Sequence, residues 1–182
     1  MDNSIFIEDV EISGIEYAAR VSGLPHNNNP TESIERLKVL GKCVSGSGHD
    51  VSLSGIVVHH TVIADHGWWL QFGRYHFHQI ISSQSKMHSL SKMELLFHKK
   101  TPSQAIDCAN ELRLGYEHGI IDFETLCMGM PLGLMLKAGV VTNYLQLKTI
   151  FHQRKKHKMS SWKEYCQWIL SLPHMGDILF KT

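Results

Sequence analysis

Two sets of polar side chains fall at spacings that let them act together on an anion. On a helix, Gln71, Arg74 and His78 stand at i, i+3 and i+7 and project from one face. Asn143, Leu147, Ile150 and Arg154 stand at i, i+4, i+7 and i+11, which puts an amide and a guanidinium at opposite ends of an apolar stripe. Between the two sets, Ser82, Ser83 and Ser85 offer hydroxyl donors, and their loop adds backbone N–H groups. A guanidinium fork matches phosphate, and an apolar stripe suits an aromatic ring. The chemistry indicated is the binding of a nucleotide.

Metal chemistry is the competing use of these residues, because the chain holds 13 histidines, among them His59-His60, His76-x-His78 and His88. No HExxH pair and no carboxylate-flanked histidine triad accompanies them, so they read as packing groups and phosphate donors and no metal is expected. Cys43, Cys108, Cys127 and Cys166 are widely spaced, form no CxxC pair and read as free thiols. Cys127 has no basic partner nearby in sequence to activate it as a nucleophile.

The elements that must position these groups follow from periodicity. Ile5 to Ile12 alternates apolar and acidic residues as a half-buried strand does, and a short helix follows from Gly14 through Val21. Pro25 to Pro30 reads as a loop, after which Thr31 caps a helix with Ile34, Leu37 and Leu40 on one face and Gly41 at its stop. Ser45-Gly46-Ser47-Gly48 reads as a functional loop, and the β-branched run from Val51 to Ile63 as a strand. Trp68 to Ile81 begins as a helix, and the hydroxyl-rich Ser82-Ser83-Gln84-Ser85 breaks its apolar pattern. Helical spacing recurs over Pro102–Leu114, Asn143–Arg154 and Ser160–Leu172. The fold class expected is α+β.

A length of 182 residues suits one domain, taken as 1–182, and 43% apolar with 19% charged residues is a globular composition. No run approaches the roughly 20 apolar residues that cross a bilayer, and the amino terminus is acidic where a secretory signal is basic. A cytoplasmic protein without membrane partners is expected. A net charge of +1 makes no general case for nucleic acid. One outside reading is an interaction protein in which Arg154 to Lys158, Trp162 and Trp168 meet a macromolecular partner.

Several segments together resemble the flavin-dependent thymidylate synthases, in the same order and at similar intervals over most of the chain. Ala18-Ala19-Arg20-Val21-Ser22 is similar to the family's early helix, and Gly48-His49-Asp50 to the segment before its next strand. The family's signature, Q-x-x-R-H-R followed by a serine ahead of an R-Y pair, resembles Gln71-Phe72-Gly73-Arg74-Tyr75-His76 and then Ser82-Ser83-Gln84-Ser85. Met130-Pro131, Thr142-Asn143 and the run from Leu147 to Arg154 resemble the family's proline, asparagine and terminal arginine.

The resemblance implies a single domain with a central antiparallel sheet and flanking helices. It implies a homotetramer with FAD between subunits, and NADPH and methylenetetrahydrofolate as co-substrates. Flavin contacts would fall to Arg74, Tyr75, His76, Ser82, Asn143 and Thr149, with His157 and Lys158 near the flavin phosphates. A deoxypyrimidine nucleotide, dUMP or a relative, would meet Gln71, Arg74, Ser83, Gln84, Ser85 and Arg154. No protein nucleophile is implied. The chain departs from the pattern where Tyr75-His76 replaces H-R, Ser83-Gln84 stands near an acidic residue and Met87-His88 stands at the R-Y pair. It departs again where Cys127 replaces an arginine and Ser54-Gly55 an E-H pair. Two functions are therefore open: reductive methylation of the nucleotide, or a catalytically inactive relative that sequesters or senses a nucleotide or flavin.

Overall fold

Four antiparallel strands organise the computed structural model, which describes residues 3–27 and 29–180. The strands are β1 (Phe6–Ser13), β2 (Val57–Asp65), β3 (His78–Ser83) and β4 (Met135–Asn143), in the order β1-β2-β4-β3. β2 and β4 pair along their whole length, from Val57 opposite Asn143 to Asp65 opposite Met135. Their alternation puts Val58, Val62, Ala64 and Val140 in the core, the period-2 consequence of the pleat. Both edge strands are irregular: β1 is bulged between Glu8 and Glu11, with Asp9 at φ 51, and β3 between Ile80 and Ser82. Bulges blunt the pairing tendency of a free edge.

Nine helices surround the sheet among the described residues: α1 (Ile15–Val21), α2 (Ile34–Gly41), α3 (His66–Phe72), α4 (Lys86–Ser89), α5 (Ser103–Glu117), α6 (Phe123–Gly129), α7 (Tyr144–Arg154), α8 (Ser160–Ser171) and α9 (Met175–Leu179). The main core joins the buried residues of β2 and β4 to Trp68 and Phe72 of α3, Leu147 and Ile150 of α7, and Trp162 and Tyr165 of α8. A smaller core of Leu90, Leu126 and Leu134 lies against Leu112 of α5 and Phe123 of α6. α7 starts where β4 ends, and the Asn143 side chain accepts a hydrogen bond from the Gln146 N–H at 2.8 Å as its cap. Farther along α7, the buried Lys148 Nζ donates to Asp50 Oδ2 at 2.6 Å and to the Gly41 carbonyl at 2.7 Å, tying the helix to the segment before β2.

The expected first strand, the helix after it and the helices near 103–117, 144–154 and 160–171 are present. Four expectations are corrected. Ser33, not Thr31, caps α2, because Ser33 is extended and its Oγ accepts the Arg36 N–H at 3.1 Å. Val51–Gly55 forms a 3₁₀ turn, so the strand begins only at Val57. The helix expected from Trp68 ends at Phe72, and Gly73 is its C-cap. The chain then re-enters the sheet as β3, with His78 opposite Thr142, so Gln71, Arg74 and His78 do not share a helix face. Trp162 is fully buried and so is not a docking residue. Asn28 of the Pro25–Pro30 loop lies outside the described residues.

Candidate functional site

Arg154 ends α7 on the same side as Leu147 and Ile150, whose burial aims that face of the helix at α3 and α8. Its Nε donates to the Tyr75 hydroxyl at 2.8 Å, and its Nη1 donates to Gln71 Oε1 at 3.1 Å. Trp162 Nε1 donates to the same Gln71 oxygen at 3.0 Å, and Gln71 Nε2 meets Met159 Sδ at 3.2 Å, so the amide is fixed from both ends. The Arg154 guanidinium lies 4.6 Å from the centre of the Trp162 ring and 5.7 Å from that of Tyr75, within cation–π range.

Every partner of this guanidinium is neutral. Among the described residues no carboxylate pairs with Arg154 or with the exposed Arg74. Arg74, Tyr75, His76, Gln146, Thr149 and Arg154 line one cleft of about 450 Å³, and among the described residues no acidic one contributes to its wall. A half-buried cation that meets only neutral dipoles is a site for an anion, because its charge is oriented but not neutralised.

The floor is rigid. Gln146 Oε1 accepts the Phe77 N–H at 3.2 Å, and Thr142 Oγ1 donates to the Phe77 carbonyl at 3.0 Å. These bonds pin the segment between α3 and β3 to the junction of β4 and α7. Asn143 lines an adjoining cleft of about 310 Å³ that shares His76 and Phe77 with the first. Thr149 Oγ1 is turned back to the Leu145 carbonyl at 3.0 Å. His157 lies past the end of α7, its ring centre 6.2 Å from that of Trp162, and burial followed by the Arg154 charge holds its pKa below the ordinary value. Lys158 beside it is exposed.

The serine-rich segment stands apart from this cluster in the same chain. Ser82 and Ser83 are on β3 opposite Gly139 and Ala138, and neither lines the Arg154 cleft. Gln84 extends the pairing: its N–H donates to the Lys137 carbonyl, and its Oε1 accepts the Lys137 N–H, both at 2.8 Å. The Ser85 carbonyl accepts the Ser89 hydroxyl at 2.6 Å. Lys86 Nζ lies 3.3 Å from His66 Nδ1. Sequence reasoning did not find Trp162, Met159 and Gln146 as members of the site. The sequence offers Trp162 to a macromolecular partner, and nothing in it shows where the polar atoms of Met159 and Gln146 face; only the fold does.

Cys127, where the resemblance puts an arginine, packs against the smaller core. Among the described residues no group of three or more His, Cys, Asp or Glu side chains could hold a metal ion, and no helix is long and apolar enough to cross a membrane.

The sheet order and flanking helices define a single-domain α+β protein with a central antiparallel sheet. The fold is that of the flavin-dependent thymidylate synthases. The chain is similar to the crystal structure of Thymidylate Synthase X (ThyX) from Helicobacter pylori with FAD and dUMP, with a TM-score of 0.75 at 14% identity, covering 97% of this chain and 98% of that one. A second crystal structure of flavin-dependent thymidylate synthase ThyX from Helicobacter pylori, complexed with FAD and dUMP, gives a TM-score of 0.75 at 13% identity over 96% of this chain and 97% of that one. No protein-family model matches the sequence, and no curated protein does.

Proposed function

We propose that this chain is a cytoplasmic flavin-dependent thymidylate synthase-type enzyme that reductively methylates dUMP or a related deoxypyrimidine nucleotide. The observation that carries the reading is the Arg154 cleft: two guanidinium groups, aromatic walls and no carboxylate among the described residues, on the fold of proteins solved with FAD and dUMP. In this reading Arg74, His76, Asn143, Thr149 and the Tyr75 ring meet the flavin, and His157 and Lys158 meet its phosphates. Gln71 and Arg154 meet the nucleotide. FAD would supply the redox chemistry, with NADPH as reductant and methylenetetrahydrofolate as one-carbon donor. The protein's own part is to bind, orient and neutralise charge.

Ser82, Ser83, Gln84 and Ser85 would complete the site of a neighbouring protomer in a homotetramer. Two features support that arrangement. The segment is held away from Arg154 within one chain, and its edge strand leaves Ile81 60% and the preceding Phe77 69% exposed.

A second reading is favoured by Cys127, which packs into the smaller core, and by Gln84, whose amide oxygen is bonded to β4. Both sit where the resemblance expects charged groups. They suit a relative that holds a nucleotide or flavin without turnover and so sequesters or senses it.

The test is a visible absorption spectrum after FAD loading and gel filtration, then an assay of dUMP-dependent NADPH oxidation. Retained flavin with turnover supports the enzyme. Retained flavin or nucleotide without turnover supports the second reading, and a protein that retains neither removes both.

A further inference from the structure

Tyr75 differs from the other residues lining the cleft because its polar atom is spent on the Arg154 guanidinium itself. Its hydroxyl accepts the Arg154 Nε–H at 2.8 Å, while Gln71 Oε1 accepts from Nη1 at 3.1 Å. The Tyr75 ring is anchored in turn, with its centre 6.3 Å from that of Phe72 and 6.1 Å from that of Trp162. Two of the three guanidinium nitrogens are thus held by neutral oxygens on rigid supports. Nη2 has no protein partner among the described residues. A side chain of four rotatable bonds is fixed before any ligand arrives, and pre-paid ordering of this kind appears as affinity.

We propose that Tyr75 is a positioning residue: through its hydroxyl it orients Arg154 so that Nη2 faces an anionic group of the ligand. The ligand assignment rests on the nucleotide reading above, whereas the orientation of Arg154 does not. The position is one where the chain departs from H-R in the signature, so the device belongs to this sequence. A phenol suits the task because its oxygen accepts from the guanidinium without neutralising it, as a carboxylate would. Tyr75→Phe keeps the ring and removes only the acceptor.

The experiment uses the full chain with ¹⁵N-labelled arginine and follows hydrogen exchange at the Arg154 Nε–H, assigned by its disappearance in Arg154→Lys. Arg36 is the internal reference, since its Nε donates to Ser22 Oγ at 3.0 Å away from the cleft. Tyr75→Phe is expected to speed exchange at Arg154 about ten- to a hundred-fold, the loss of one charge-assisted hydrogen bond, and to leave Arg36 unchanged. The same variant, loaded with FAD, is expected to lose about tenfold in affinity for dUMP and to keep its affinity for deoxyuridine. Unchanged exchange at Arg154 overturns the proposal, as does faster exchange with undiminished discrimination between dUMP and deoxyuridine. A wild-type protein that binds no dUMP would remove the nucleotide reading instead, and exchange alone then decides whether Tyr75 positions Arg154. A circular dichroism melt of Tyr75→Phe within a few degrees of wild type excludes general loosening as the cause.

Discussion

Lys148 and Asp50 form an ion pair of 2.6 Å in which each side chain is only 2% exposed. The ammonium also meets the carbonyls of Gly41 and Cys43, so both charges are desolvated and held in one geometry. Removing one member leaves the other buried and uncompensated. Asp50→Ala or Lys148→Met should each cost about 3–5 kcal/mol in urea-unfolding stability. The double variant Asp50→Leu/Lys148→Met should cost clearly less than the sum. Strict additivity would show that the two charges are not coupled.

Acid should destabilise the fold through His60. This residue is buried on β2, its Nε2 is 3.0 Å from the Tyr165 hydroxyl, and its ring is stacked 4.7 Å from Trp168. Burial, with a smaller push from His59, brings its pKa down to about 4 from 6.5. The folded state therefore keeps His60 neutral while the unfolded chain takes up a proton. Stability from this group is full above pH 6.5, declines as the pH falls towards about 4 and then levels off. The total loss is about 3 kcal/mol. His66, His78, His152 and His157, also lowered chiefly by burial, act in the same direction. Urea titrations at pH 7 and pH 5 check this, and His60→Phe should flatten the slope.

The cleft arginines should separate binding from folding. Arg74 is exposed and its side chain makes no hydrogen bond or ion pair among the described residues, so Arg74→Ala should change stability by no more than about 0.5 kcal/mol. Arg154→Ala also loses its bonds to Tyr75 and Gln71 and should cost about 1–3 kcal/mol. Both variants should unfold cooperatively and lose flavin or nucleotide binding. Retention of both ligands by both variants would sink the site.

Gly14 tests the junction between β1 and α1. It sits at φ +88, and a Cβ there would run into the Gly55 carbonyl oxygen. Gly14→Ala combines left-handed strain with overpacking against backbone that cannot move aside, and should cost about 3 kcal/mol in thermal or chemical unfolding.

What the sequence made legible follows from which forces act locally. α7 and α8 were readable because their apolar residues recur at helical spacing and pack against one core. β3 was not, because its residues are almost all exposed and carry no alternation, while the aromatic run before it has helical spacing. Its pairing with β4 is a long-range fact. Gln71 and Arg154 were each picked out by helical spacing and by resemblance, yet their contact spans 83 positions and is set by the packing of α3 against α7 and α8. Tyr75 was read as a departure from a signature. Only the fold shows its hydroxyl on Arg154.

The missing counter-charge around Arg74 and Arg154 also bears on kinetics. A cleft that holds two cations and, among the described residues, no acid projects a positive potential beyond its mouth, stronger for being walled by low-dielectric aromatic rings. Anions would be gathered before contact, so encounter would be faster than random diffusion and would slow as added salt collapses the field. The arrangement that orients a ligand at rest would thus also recruit it from a distance.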